Sequence, residues 1–181
     1  MKKLEKLYKL ANDLNISIHF FDLKHIGVLG LNVEKDNMPH MIFLDHSIKQ
    51  DNRLHLEVLA HEIGHYFTTV GNFIDAKSYY SKLQNGKCEN KADRWAYDYL
   101  IPEKELISIL SKKNFNAYEL SDSLEVGVEF LIKRLEYLAL QKQTLYLGND
   151  RYLALNNLPN LIIYEPILFN QSKEVYNEII C

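Results

Sequence analysis

Cysteine is almost absent from this 181-residue chain, with only Cys88 and Cys181. Their positions give no framework of pairs, which argues against a disulfide scaffold and fits a reducing compartment. Long apolar runs are missing, and nothing approaches the roughly 20 consecutive residues of a membrane helix. The opening "MKKLEKLYKLANDL" is charged throughout and lacks the apolar core of a signal peptide, so a cytoplasmic protein is expected. Excess charge of one sign is lacking too. Twenty-one basic and 24 acidic side chains leave a net charge of -3, with no electrostatic reason to expect binding to nucleic acid or a membrane. There is no internal repeat, no low-complexity run and no linker that clearly divides two domains.

What remains is a chain that is 47% hydrophobic and long enough to bury a core. Leu4, Leu7, Tyr8, Ala11 and Leu14 recur at helical spacing and predict an amphipathic opening helix. Residues 16–23, 27–33 and 40–47 are short and rich in β-branched or aromatic side chains, with turn residues at 24–27 and 35–39. They predict a small antiparallel sheet, with "HMIFLD" as its edge. Asp51 or Asn52 can cap the next helix, expected to run to about Val70 and end at Gly71. Asn85-Gly86 reads as a turn, followed by a helix over 87–101 that Pro102 stops. Helices continue over 103–140, and strand-like segments follow in 141–181, broken at Gly148-Asn149 and at 156–159. The expected class is α+β, with a main domain over 1–140, a helical part at 103–140, and a C-terminal extension over 141–181 of unknown role.

The chemistry concentrates in "LAHEIGHYF", residues 59–67. Residues four apart on a helix share a face, so His61 and His65 can both address one metal ion. Glu62, one step round, is badly placed to join them as a ligand but can reach a water held by the same ion. Two imidazoles and a carboxylate base are the kit of a zinc peptidase. The bland alternative is two surface histidines on one helix. Val58, Leu59, Ile63 and Phe67 make that helix apolar on much of its circumference, and unpartnered histidines in a buried helix are costly.

A catalytic zinc takes three protein ligands and keeps one position open. No third histidine follows at short spacing. Glu89 and Asp93 lie four apart on the 87–101 helix, which assigns Glu89 as third ligand and Asp93 as the group that holds the far nitrogen of a ligand histidine. Asp75, Asp93 itself and Glu57 are the rival third ligands, Cys88 is a stray thiol, and a solvated acidic face is the plain alternative.

"AHEIGHYF" followed by "ENKADRWAYDYLIP" resembles the ImmA/IrrE family of zinc metallopeptidases of phages, mobile elements and bacteria. The second stretch follows a family pattern like E-x-x-A-N-x-F-A-x-x-L-L-M-P at Glu89, Ala92, Trp95, Ala96, Leu100 and Pro102, with Asp93, Trp95 and Ile101 in place of the usual Asn, Phe and Met. The resemblance covers roughly residues 5–138. It implies a zincin-like core, one Zn2+ per chain on His61, His65 and Glu89, and Glu62 as base. It also implies a helix-turn-helix repressor as protein substrate. The alternative is a non-proteolytic zinc-containing regulator or toxin-like partner of a repressor, although a purely structural zinc needs no Glu62 and is usually closed by four ligands.

Other signals are weaker. Tyr97, Tyr99 and His55 are candidates for a second oxyanion donor, without positional support. Residues 117–138 could form a helix-turn-helix, but Glu125 and Glu129 at the start of its second helix would face phosphates, which favours a packed helical pair. His19, His25, His40, His46 and His55 have no ligand spacing and are expected to be surface or strand residues.

Overall fold

β3 (Met41–Asp45) is the strand around which the N-terminal layer is laid out. A computed structural model describes residues 2–34, 38–68 and 79–166. The opening helix α1 (Lys3–Asp13) buries Leu7 and Ala11. β1 (Ser17–Phe21) follows, then a 3-10 turn over Lys24–Ile26 that Gly27 closes at φ 72, then β2 (Gly30–Val33) and β3. The sheet order is β1-β3-β2, with β3 parallel to β1 and antiparallel to β2.

Two expectations fail here. The sheet is mixed rather than antiparallel, and "HMIFLD" is its centre rather than its edge. The chain does reverse between successive strands. However, β3 inserts between β1 and β2, so the first and third strands, which run the same way, become neighbours. The burial of β3 fits that place, with Ile42, Leu44 and Asp45 out of water, whereas β2 has no fully buried residue.

Asp51 begins α2 (Asn52–Thr68), its carboxylate accepting the N–H groups of Arg53 and Leu54 at 3.0 Å each. The stretch where this helix was expected to end, Val70 and Gly71, lies outside the described residues, as does Asp75. α3 (Tyr79–Leu100) runs straight through Asn85-Gly86, where a turn was expected. Asn and Gly together cost a helix only about 1–2 kcal/mol, which the 22-residue element tolerates. Lys3 Nζ donates to Leu100 O at 2.6 Å and caps its end.

α4 (Glu103–Leu110), α5 (Ala117–Leu124) and α6 (Val128–Ala139) then pack as the helical part. Leu120, Leu124, Leu131 and Leu135 are fully buried, so 117–138 is a packed helical pair. β4 (Thr144–Gly148), β5 (Arg151–Ala154) and β6 (Ile162–Tyr164) form a separate antiparallel meander. Asn149 and Asp150, at φ 52 and 55, make its first tight turn. Its Leu145, Leu147, Leu153 and Leu155 join the same hydrophobic core as the helices. No helix among the described residues is long and apolar enough to cross a membrane.

Candidate metal centre

α2 carries His61 and His65 one turn apart, with ring centroids 4.7 Å from each other. What brings acids to them is a backbone contact. A Cβ on Gly64 would meet Ala92 O at 2.6 Å and Ala92 Cα at 3.0 Å, so α2 and α3 cross where neither can carry a larger side chain. Gly is a poor helix residue, and here only the bare backbone fits. Ala92 stands between Glu89 and Asp93 on α3. Closing the helices at 64 and 92 therefore lowers both carboxylates onto the histidines.

His65 Nε2 is 3.0 Å from His61 Nε2, and Glu89 reaches the first with Oε1 at 3.5 Å and the second with Oε2 at 3.1 Å. A tetrahedral zinc with bonds of about 2.0–2.1 Å sets its ligand atoms about 3.3 Å apart. The two imidazole nitrogens and the two Glu89 oxygens close round one point at about that spacing, and one ligand atom from each of the three residues lies within 4.8 Å of the others. The three residues form the metal-competent group of His, Cys, Asp and Glu found among the described residues. The Nδ1–H of His61 donates to Asp93 Oδ1 at 2.8 Å, which turns the lone pair of Nε2 toward the centre. The residues present fit a zinc ion.

The electrostatics agree. Burial disfavours a charged His61 ring, but the hydrogen bonds it donates to Asp93 and Glu89 outweigh it and carry its pKa up to about 10, holding a proton that a zinc ion on Nε2 would displace. The two imidazoles hold the Glu89 carboxyl well below the usual carboxylate range. Carboxylates around two imidazoles draw positive charge into this point, as a cation site must. Glu62 is 6% exposed. Burial lifts its pKa to about 7, Glu89 adds to the rise, and His61 and His65 oppose it. Such a carboxyl can both take and release a proton near neutrality.

An open cleft of about 860 Å³ runs over the centre. Ile26, Val28, Leu29 and Leu31 form one wall, and Glu129, Phe130 and Lys133 of α6 form the other. β2 presses its Gly30 against Glu62: a Cβ there would stand 2.7 Å from Glu62 Cγ and 2.8 Å from Cδ. Asn32 Nδ2 donates to Glu62 O at 2.8 Å. Neither residue was singled out from the sequence. The available signal was their type, since Gly and Asn are depleted in strand interiors.

The other expected residues sort by position. Glu57 lines the cleft, but its Oε1 accepts the N–H of Gly127 at 2.6 Å and ties α6 to α2. Cys88 also lines the cleft and is not in the metal-competent group. Tyr97 borders the cleft, its hydroxyl pushed up to about 12 chiefly by burial, so it keeps its proton. Tyr99 stacks on Trp95, which stacks in turn on Phe67, and Tyr99 does not line the cleft. His55 is buried, with Tyr8 Oη 2.9 Å from its Nε2, and is no cleft residue. Nor is it a surface residue. Phe67, expected to be buried, is 47% exposed.

Comparison with known proteins extends this picture. A peptidase family described as the IrrE N-terminal-like domain matches residues 11–136. A Mycobacterium tuberculosis transcriptional regulator shares the fold over 74% of this chain, with a TM-score of 0.53 and 16% sequence identity. The shared part spans 40% of that protein. None of the curated proteins compared with the chain matches it.

Proposed function

Because the chain belongs to the peptidase family of the IrrE N-terminal-like domain, we propose that it is a zinc-dependent endopeptidase acting on a protein substrate. The observation that carries this reading is the convergence of His61, His65 and Glu89, one ligand atom of each within 4.8 Å of the others, with a buried carboxyl beside them. His61, His65 and Glu89 hold the metal, and Asp93 fixes the ring of His61. Zinc in that place would polarise a water and the scissile carbonyl. Glu62 takes the proton of the attacking water and passes it to the leaving amine. Tyr97, protonated and at the cleft, is the remaining candidate for a second donor to the oxyanion.

The substrate docks on β2. Asp45 N–H donates to Leu29 O at 2.8 Å. The antiparallel alternation then turns the Leu31 and Val33 backbone toward β3 and leaves the N–H and C=O of Gly30 and Asn32 on the edge where no strand pairs among the described residues. Family resemblance points to a helix-turn-helix repressor as the substrate, and the fold shared with a transcriptional regulator is in keeping with a role in gene control.

Zinc per chain and hydrolysis of a repressor candidate test the reading together. Wild type should carry about one zinc, Glu89→Ala far less, and Glu62→Gln the full amount with turnover lower by roughly 10²–10⁴-fold. A wild type that takes up no zinc on reconstitution, or an active Glu62→Gln, would overturn it.

A further inference from the structure

We infer that Asn32, with Gly30 and His40, locks the open edge of β2 onto Glu62, so that the strand receiving the substrate and the base acting on it move as one piece. This rests on the peptidase reading above, and Asn32 is a positioning residue within it.

β2 is a weak place to dock anything. It has four residues, and β3 pairs with it on one side only. The lead into it is exposed, with Ile26 at 50%, Val28 at 39% and Leu29 at 41%. Side chains make up for the missing neighbour. Asn32 Nδ2 donates to the main-chain oxygen of Glu62, and Asn32 Oδ1 is 2.8 Å from His40 Nε2. With the amide nitrogen committed to a carbonyl, Oδ1 must accept, so His40 Nε2–H is the donor. The His40 ring stands edge-on against Tyr66, centroids 4.9 Å apart. Tyr66 is one turn beyond Glu62 on α2. The chain of contacts therefore leaves α2 at 62, passes through β2 and the start of β3, and returns to α2 at 66.

The bracket is not needed to satisfy a stranded polar group. Glu62 O lies inside a helix that continues to Thr68, so it already faces the N–H of residue 66. A Val or Thr at 32 would suit a strand better than Asn. What Asn32 adds is a fixed distance between the free edge and the base. Gly30 adds the complement, since any side chain there would push the Glu62 carboxyl aside. Together they hold a peptide laid on β2 in register with the centre.

The test compares zinc-loaded wild type, Asn32→Ala and His40→Ala. Two probes are titrated, acetohydroxamic acid, which needs only the metal, and a tripeptide hydroxamate long enough to pair with β2. Amide hydrogen exchange is followed on the same proteins. Losing one such hydrogen bond should raise exchange at residues 31–33 and weaken the tripeptide hydroxamate by up to about tenfold. Zinc content and acetohydroxamic acid affinity should stay unchanged. His40→Ala, which frees the amide without removing it, should do the same to a smaller degree, and serves alone if Asn32→Ala does not fold. Unchanged exchange and unchanged tripeptide binding would overturn the lock. So would an equal loss of both probes, or a loss of zinc, because the residue would then serve the metal site or the fold at large. If wild type binds neither hydroxamate, the peptidase reading fails, and the exchange rates alone decide the lock.

Discussion

α2 and α6 both line the cleft, and they bury their polar groups to different ends. α6 buries Leu131, Leu135 and Leu138 at helical spacing, and beside them Arg134, whose guanidinium pairs with Asp98 at 2.9 Å and donates to Ile101 O at 3.1 Å. α2 buries Leu56, Leu59 and Ile63 but also His55, Glu62 and Gly64. A regular stripe of leucines is chosen by packing. A helix that breaks its stripe with a histidine, an acid and a glycine carries those residues at a cost in stability, and each has a separate duty here. His55 meets Tyr8, Glu62 faces the centre, and Gly64 admits α3.

The contrast can be broken at either helix. Leu135→Ala should produce the largest effect, a loss of about 2–5 kcal/mol in denaturant unfolding, with zinc affinity of the remaining folded protein unchanged. If zinc affinity fell with it, α6 would be more than a packed wall. Gly64→Ala is next. By propensity it should strengthen a helix, yet the close backbone of Ala92 should make it cost about 1–3 kcal/mol and weaken zinc binding as α3 is pushed away. Gly86→Ala is its control, because a Cβ there meets nothing within 4 Å. It should stabilise by about 0.5–1 kcal/mol, and calorimetry of the pair should give opposite signs.

Asp93→Ala removes the acceptor that holds His61 and should lower zinc affinity by about 10–100-fold, read by competition with a chelator. Equal affinity would mean that Asp93 is only part of a solvated acidic face. The smallest effect concerns His55. Burial lowers its pKa from 6.5, so the stability it contributes is present above that value and is lost as pH falls through the folded-state pKa. The melting temperature should fall as pH drops below the ordinary histidine value of 6.5, and less so in His55→Asn. An identical fall would place the acid sensitivity elsewhere, His40 first, whose shift has the same sign.

The same contrast explains what could be read from residues alone. The pentapeptide at 61–65 and the four-residue step from Glu89 to Asp93 are local, and helical geometry converts such spacing directly into shared faces. α1, α2 and the helices of 103–140 were legible for the same reason. The sheet was not, because strand order depends on which partners β3 finds across the fold, and nothing within "HMIFLD" records that it will enter between two others. The start of α3 was misplaced because Asn85-Gly86 signals a local preference that a long helix overrides. Gly30 and Asn32 stayed invisible because their role exists only once β2 lies on α2.

The crossing at Gly64 and Ala92 has one more consequence. His61 and Glu89 are 28 positions apart in the chain. An ion gripped by both would close that stretch into a ring in the folded chain, where the two residues meet, and would be released on unfolding. Each tenfold of free zinc above its dissociation constant would add about 1.4 kcal/mol to stability. Chelation would then do more than silence the centre: it would open the ring, and the availability of metal would set how long the protein survives as well as whether it cuts.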